Sequence, residues 1–361
     1  MIVEIQQILV KSPGLKGREI ARKLGLEKKK VNSFLDKNRD TFNQDEDYCW
    51  FNIDNDSIVI EFDPSWIDSY LFEQTLLPYP DLFSIHEKSI KFVIPKGCKL
   101  LLISIAKFLS LVNQLSARGI DVVIDLSDCK NTRTYFSRTG FFEHLDECIT
   151  VVPDRPSESL AELYKGNSDS LVEFGTIDPN DKNKPLIIEL GKAFVKQSDE
   201  CYSTAALTVF SEMIGNVSEH SEADIDGFAA LQYYSPPHKA NHIQTVISDS
   251  GLGVTNTLRS SLEENYPLLY SKYGYADTES DIGLVTEVFT KGNISRYGGA
   301  RGLGFKSSRE QATKFDANLS IRQDEFSIEL IYRNGQFIDS KVERNLSRIH
   351  GTHICFDFIV D

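Results

Sequence analysis

Glu212-Met-Ile-Gly-Asn216-Val-Ser-Glu-His220, followed by Asp249-Ser-Gly251-Leu-Gly253 and then by Gly298-Gly-Ala-Arg301-Gly302-Leu303-Gly304, is the ordered set that decides how this chain is read. Glu212, Asn216 and His220 are spaced by four, so on a helix they share one face. The surrounding residues support that helix. Ala206, Val209, Phe210, Met213, Ile214 and Val217 form an apolar band between Glu200 and His220, the pattern of a helix packed on a sheet. The two glycine clusters let backbone approach a bound nucleotide closely, since glycine has no Cβ.

Working outward, Gly227 to Tyr234, His242 to Ser248, Leu319 to Ile321, Ser327 to Tyr332 and Thr352 to Val360 read as strands. A long helix, a sheet and a connecting lid from Thr255 to Tyr297 predict an α/β sandwich over residues 186–361. Gly274, Gly283, Gly292 and Gly298 are candidate lid hinges. Upstream, residues 153–185 hold Pro153, Pro156, Pro179 and Pro185 among Ser, Asp and Asn, a linker-like composition.

Residues 55–152 alternate strands and helices. Ser57 to Phe62, Ile90 to Ile94 and Ile120 to Leu126 read as strands, and Ile103 to Arg118 carries a helical apolar stripe that ends at Gly119. Residues 1–54 give three short helices, at Ile2 to Lys11, Lys16 to Leu24 and Glu27 to Lys37, then a β-ribbon from Phe42 to Ile53. Leu26, Val31, Phe34 and Leu35 supply the inward positions of the third helix, and Lys28, Lys29 and Lys30 begin it.

Composition bounds the function. The 361 residues suffice for two or three domains, and the formal charge of -14 argues against wholesale coating of nucleic acid. Residues 1–40 nevertheless hold ten Lys and Arg against five Asp and Glu, a local basic excess. The six cysteines are scattered without a Cys-x-x-Cys pair, which disfavours a zinc site or a disulfide framework. With no signal-like start and no long apolar run, the expectation is a cytoplasmic protein with no membrane partner.

The motifs of residues 186–361 resemble those of the GHKL (histidine kinase-like) ATPases, a family that includes gyrase, mismatch-repair ATPases and histidine kinases. The family's N box corresponds to Glu212, Asn216 and His220, its G1 box to Asp249, Gly251 and Gly253, and its G2 box to Gly302, Leu303 and Gly304. Thr352, after Gly351, matches the threonine that closes the adenine pocket. The resemblance implies that the chain binds ATP and Mg²⁺. Asp249 would accept from the adenine amino group, Asn216 would ligate Mg²⁺, and Glu212 would act as general base on water. His220 and Arg301 would stand near phosphate, and Gly302 to Gly304 would present backbone N–H groups to it at a helix formed by Phe305 to Ala312. Arg301 before the last glycines is partly similar to mismatch-repair ATPases and departs from the kinases.

Residues 55–152 resemble a STAS domain, the fold of anti-sigma-factor antagonists, through Asp121 to Ser127 and the Thr134 to Phe142 helix. In that fold a hydroxyl near the helix start is phosphorylated; Thr132 and Thr134 are the nearest positions, although the Asp-Ser pair is replaced by Asn131-Thr132. Residues 1–54 resemble a winged helix-turn-helix. The expected fold class is therefore multidomain α+β, with a winged helix, a STAS-like α/β domain and a GHKL sandwich. The leading reading is a nucleotide-driven switch that hydrolyses ATP and is coupled to a module binding DNA, through Lys28, Lys29 and Lys30, or protein. A protein partner could bind the STAS-like domain, and a homodimer is left open. One alternative is a serine/threonine protein kinase of the anti-sigma-factor type, acting on its own STAS-like domain or a partner. Another is an ATP-regulated DNA-binding regulator without significant hydrolysis. His86-Glu-Lys-Ser superficially resembles a histidine phosphoacceptor box, but the strand-like Ile90 to Ile94 follows at once where a helical hairpin is required.

Overall fold

A computed structural model describes residues 1–11, 14–39, 41–45, 48–52, 57–85, 89–220, 225–291 and 316–360. The chain forms two compact units, residues 1–59 with 86–90, and residues 60–85 with 91–361. It is mixed α/β, in line with a multidomain α+β protein.

In the first unit, α1 (Ile2–Lys11), β1 (Leu15–Lys16), α2 (Gly17–Leu24), α3 (Lys28–Lys37), β2 (Phe42–Gln44) and β3 (Cys49–Asn52) follow in order, the strands pairing as β1-β3-β2. Gly25, at φ 66°, takes the left-handed conformation that ends α2. Ile5, Leu9, Ile20, Val31, Leu35, Phe42 and Trp50 make one small core, with Leu26 and Phe34 half-buried against it. Lys28, Lys29 and Lys30 are exposed at the start of α3.

The next elements in the chain are β4 (Ser57–Glu61), β5 (Trp66–Ile67), α4 (Ser69–Leu76), β6 (Ser89–Val93), β7 (Lys99–Leu100), α5 (Leu102–Ala117), β8 (Asp121–Asp125), α6 (Lys130–Thr139) and β9 (Thr150–Val152), the second unit holding all of them except the first residues of β4 and β6. β4, β6, β8 and β9 form one sheet in that order, and β5 pairs with β7. Then come α7 (Leu160–Leu163), β10 (Leu171–Ile177), α8 (Lys184–Gln197), α9 (Ser203–His220), β11 (Gly227–Tyr234) and β12 (Asn241–Asp249). The last elements are α10 (Gly253–Asn265), α11 (Pro267–Tyr273), α12 (Thr278–Lys291), β13 (Asp316–Asp324), β14 (Phe326–Arg333), β15 (Gln336–Glu343) and β16 (Ile349–Val360).

A seven-stranded antiparallel sheet of order β10-β11-β12-β16-β13-β14-β15 is its centre. Side chains alternate across it with period two. Ile243 and Ile247 of β12 stand beside Phe358 and Ile354 of β16, which stand beside Ala317 and Ile321 of β13. This apolar face buries Phe194 of α8, Val209, Phe210 and Met213 of α9, Leu258 of α10 and Val285 of α12. The opposite face carries Gln244, Ser248, Arg322, His353 and Asp357, yet most of these are buried too.

Helix α5 covers that polar face. It is buried on every side from Leu102 to Leu115, where the sequence predicts a single apolar stripe. The difference has a physical cause: α5 lies between two layers. Phe108 packs on Phe62, Phe92 and Phe141, with ring centroids 5.2–5.9 Å apart, while Ile103, Ala106 and Lys107 face Val246, Ser248, Arg322 and His353. Its first turn has no capping side chain of its own. The Tyr234 hydroxyl accepts from Leu102 N (2.9 Å) and Gln244 Oε1 from Ile103 N (3.4 Å), so strands β11 and β12 satisfy two of the N–H groups that a helix start leaves open.

One expectation needs correction, and the composition of a second span is now visible. Residues 153–185, read as a linker, contain β10, which pairs with β11 from Leu171↔Gln232 to Ile177↔Gly227. Its Pro- and Ser-rich flanks hid a seven-residue strand, and the residues on either side of it belong to one compact unit. The span read as a lid begins with α10, α11 and α12, and Leu262, Val285 and Val288 lie in the core. Of the candidate hinges, Gly283 is inside α12 and Gly274 ends α11; Gly292 and Gly298 lie outside the described residues. Among the described residues no helix is long and apolar enough to cross a membrane.

A buried ion triad ties α4 and α5 to the sheet. Glu73 Oε1 accepts from Lys107 Nζ at 2.6 Å and from Arg322 Nε at 3.2 Å, with all three side chains at most 2 % exposed. Burial opposes the charge on Glu73, but the Arg322 and Lys107 cations hold its carboxyl below the usual range. Removing one member strands the others in an apolar interior, whereas replacing all of them with apolar groups removes the charges together. Glu73→Ala is therefore expected to cost about 3–5 kcal/mol in urea unfolding. Glu73→Leu combined with Lys107→Met and Arg322→Met should recover most of that loss. A single variant within about 0.5 kcal/mol of the parent, the scatter of ordinary surface changes, would contradict the assignment.

Candidate nucleotide-binding site

The apolar face of the sheet ends in a polar row. Asp249 of β12 stands opposite Thr352 of β16, which stands opposite Gln323 of β13. By strand alternation these three continue the line of Ile247, Ile354 and Ile321, so they face the helical layer. All three are buried.

Asp249 is held from two sides. Its Oδ1 accepts from Gly251 N at 2.8 Å, and the Thr352 amide also donates to the carboxylate. Burial raises its pKa to about 6, against the lowering effect of those two N–H groups. Gly351 makes the close approach feasible: it sits at φ 88°, and a Cβ there would stand 2.1 Å from Asp249 O. Gly253, at φ 75°, opens α10. Gln323 fixes that helix start, its Nε2 donating to the Thr255 hydroxyl.

Helix α9 brings the other predicted residues to the same end. Its predicted start at Glu200 is a 3₁₀ turn (Glu200–Tyr202) that leads into α9. A Cβ on Gly227 would stand 2.6 Å from Val217 Cγ1 and 3.1 Å from Ser248 O, so α9 presses on β11 beside the end of β12. Asn216, the neighbour of Val217, is half-buried, and its Nδ2 is buried with no hydrogen-bond partner among the described residues. Glu212 is half-buried one turn earlier. His220 ends α9, with its side chain outside the description; Arg301, Gly302, Leu303 and Gly304, and the helix expected at Phe305 to Ala312, lie wholly outside the described residues. His86 lies outside them as well.

Two site residues escaped sequence reasoning. Gln323 and Gln114 belong to no motif, and their roles depend on strand register and on α5 docking. Gln114 Nε2 donates to Ser250 Oγ and to His350 O, both at 2.9 Å, and His350 N donates to Gln114 Oε1 at 3.0 Å. A cleft of about 450 Å³ borders this contact on the α5 side of the loop, lined by Phe83, Arg118, Gly251, Asn256 and His350 among others.

Of the two hydroxyls expected on α6, Thr132 is buried and donates to Cys98 O, whereas Thr134 is exposed and donates to Lys130 O at 3.0 Å. Neither caps the helix.

A carboxylate kept in a dry site costs stability. Because its folded pKa of about 6 lies above the unfolded value near 3.9, the native state binds the proton more tightly. Stability is therefore lost as pH rises from about 4 through 6, by up to about 3 kcal/mol for a shift of this size. Asp249→Asn keeps an acceptor for Gly251 N and should raise the melting temperature at pH 7.5 but not at pH 4. An equal change at both values would remove Asp249 from the balance. Compared with known proteins, the chain matches no family model, no curated protein and no solved structure.

Proposed function

We propose that this chain is an ATP-binding switch of the GHKL type, with the nucleotide base read at the Asp249–Thr352 end of the seven-stranded sheet. The observation that carries this is the buried Asp249 carboxylate, held by Gly251 and Thr352 at the end of an otherwise apolar row. With a pKa of about 6 it is mostly ionised at pH 7, an acceptor without a proton to give. An adenine amino group satisfies it. Guanine would turn a carbonyl oxygen toward it and leave buried acceptors unpaired, a penalty that discriminates between the bases.

Asn216, whose Nδ2 has no hydrogen-bond partner among the described residues, and the half-buried Glu212 one turn earlier would supply the remaining chemistry. Among the described residues no three His, Cys, Asp or Glu side chains converge to hold a metal ion. Asn216 would be a protein ligand of Mg²⁺, a cation that commonly keeps waters and phosphate oxygens for its other positions. Bound Mg²⁺ neutralises phosphate charge. Glu212, one turn before Asn216, would orient a water and take its proton. Hydrolysis would be slow, and the residues of the G2 box, Arg301 and Gly302 to Gly304, would complete the phosphate side. His220 would stand near phosphate.

The first unit is the candidate output. Three helices, a three-stranded sheet and exposed Lys28, Lys29 and Lys30 at the start of α3 suit a winged helix whose cations meet phosphate on DNA. A second reading, protein phosphotransfer, is favoured by one observation: Thr134 offers an exposed hydroxyl on α6 where Thr132 does not.

Titration of the intact chain with ATP and Mg²⁺ should show saturable binding that Asp249→Asn weakens at least tenfold. Glu212→Ala should keep affinity within about threefold while lowering turnover about 100-fold, the scale of a lost general base. Folded protein that binds no ATP at millimolar concentration would sink the proposal. Turnover unchanged in Glu212→Ala would remove that residue from the mechanism, and label transferred to Thr134 would favour the second reading.

A further inference from the structure

The clasp made by Gln114 reaches both arms of the base-recognising pair. Ser250 is the residue after Asp249, and His350 lies two residues before Thr352, across Gly351. One buried amide thus holds the loop that follows β12 and the first residues of β16, with two donated bonds and one accepted. These bonds use the full amide: both N–H groups and the carbonyl oxygen are engaged.

We propose that Gln114 is a positioning residue for the nucleotide site, through which helix α5 holds the Ser250 and His350 segments that flank the Asp249–Thr352 pair and in turn senses whether a base lies against that pair. This rests on the reading of Asp249 and Thr352 as base contacts. The geometry favours coupling over mere cover. The rest of α5 is fixed by its triad at Lys107, its capped first turn and its Phe108 cluster. The Gln114 side chain, near the C-terminal end, bonds among the described residues to the two segments that flank the Asp249–Thr352 pair. Linkage then requires that what Gln114 does to nucleotide affinity, nucleotide does to the α5 end.

Gln114→Met tests this, because methionine keeps the length and packing of the side chain and removes all three bonds. Two measurements are made on the intact variant. In the free protein, hydrogen exchange at the amides of residues 250–252 and 350–352 should rise about tenfold while α8 and α9 keep their protection, a local opening rather than a global one. ATP affinity should fall about tenfold, with the melting temperature within a few degrees of the parent. Unchanged exchange and unchanged affinity would overturn the role of Gln114. Faster exchange with parental affinity would also overturn it, reducing the clasp to structure. If the parent itself binds no ATP, it is the base-contact reading that fails, and the exchange measurement still reports whether the clasp holds the two segments.

Discussion

Everything in the larger unit depends on covering the second face of the seven-stranded sheet. That face is polar, and left under an apolar helix its Arg322 would be an unpaired buried charge. Glu73 resolves the problem by standing between Arg322 and Lys107, so that a strand, α4 and α5 are joined by one carboxylate. His353, beside them, is kept neutral, its pKa pushed down to about 3 by burial and by the Arg322 cation. Its Nε2 pairs with His350 O at 3.0 Å. The electrostatics of this layer reach the segment that leads into Thr352.

The opposite face follows different physics. There the helices pack on mostly aliphatic and aromatic rows with Thr245 buried among them, and at the end of the sheet Asp249, Thr352 and Gln323 replace the isoleucines. A buried carboxylate with a raised pKa lowers stability at neutral pH, and such sites are retained where a ligand returns the cost. Gly351 lets β16 cross almost in contact with the Asp249 carbonyl, which brings Thr352 against the carboxylate.

Much of this was legible in the sequence, and the failures have physical reasons. The apolar band of α9 and the strands β11, β12 and β16 were readable because each buries one face, giving a clean period. Helix α5 was readable as a helix but not as a central layer; burial on all sides leaves Lys107 looking like an interruption, when it is the bond that fixes the layer. Strand β15 was missed because its residues lie mostly exposed at the sheet edge, and β10 because turn-forming residues flank it. Asp249 and Thr352 were legible through their glycines. Gln323 and Gln114 were not, since only strand register and tertiary docking bring them to the site.

The central claim is that a nucleotide base lies against the Asp249–Thr352 pair at the end of the sheet, and photolabelling with 8-azido-ATP tests it most directly. The account predicts covalent label, suppressed by excess ATP, on peptides spanning residues 249–256 or 349–353. Label confined to other segments, or label that excess ATP does not suppress, would contradict it.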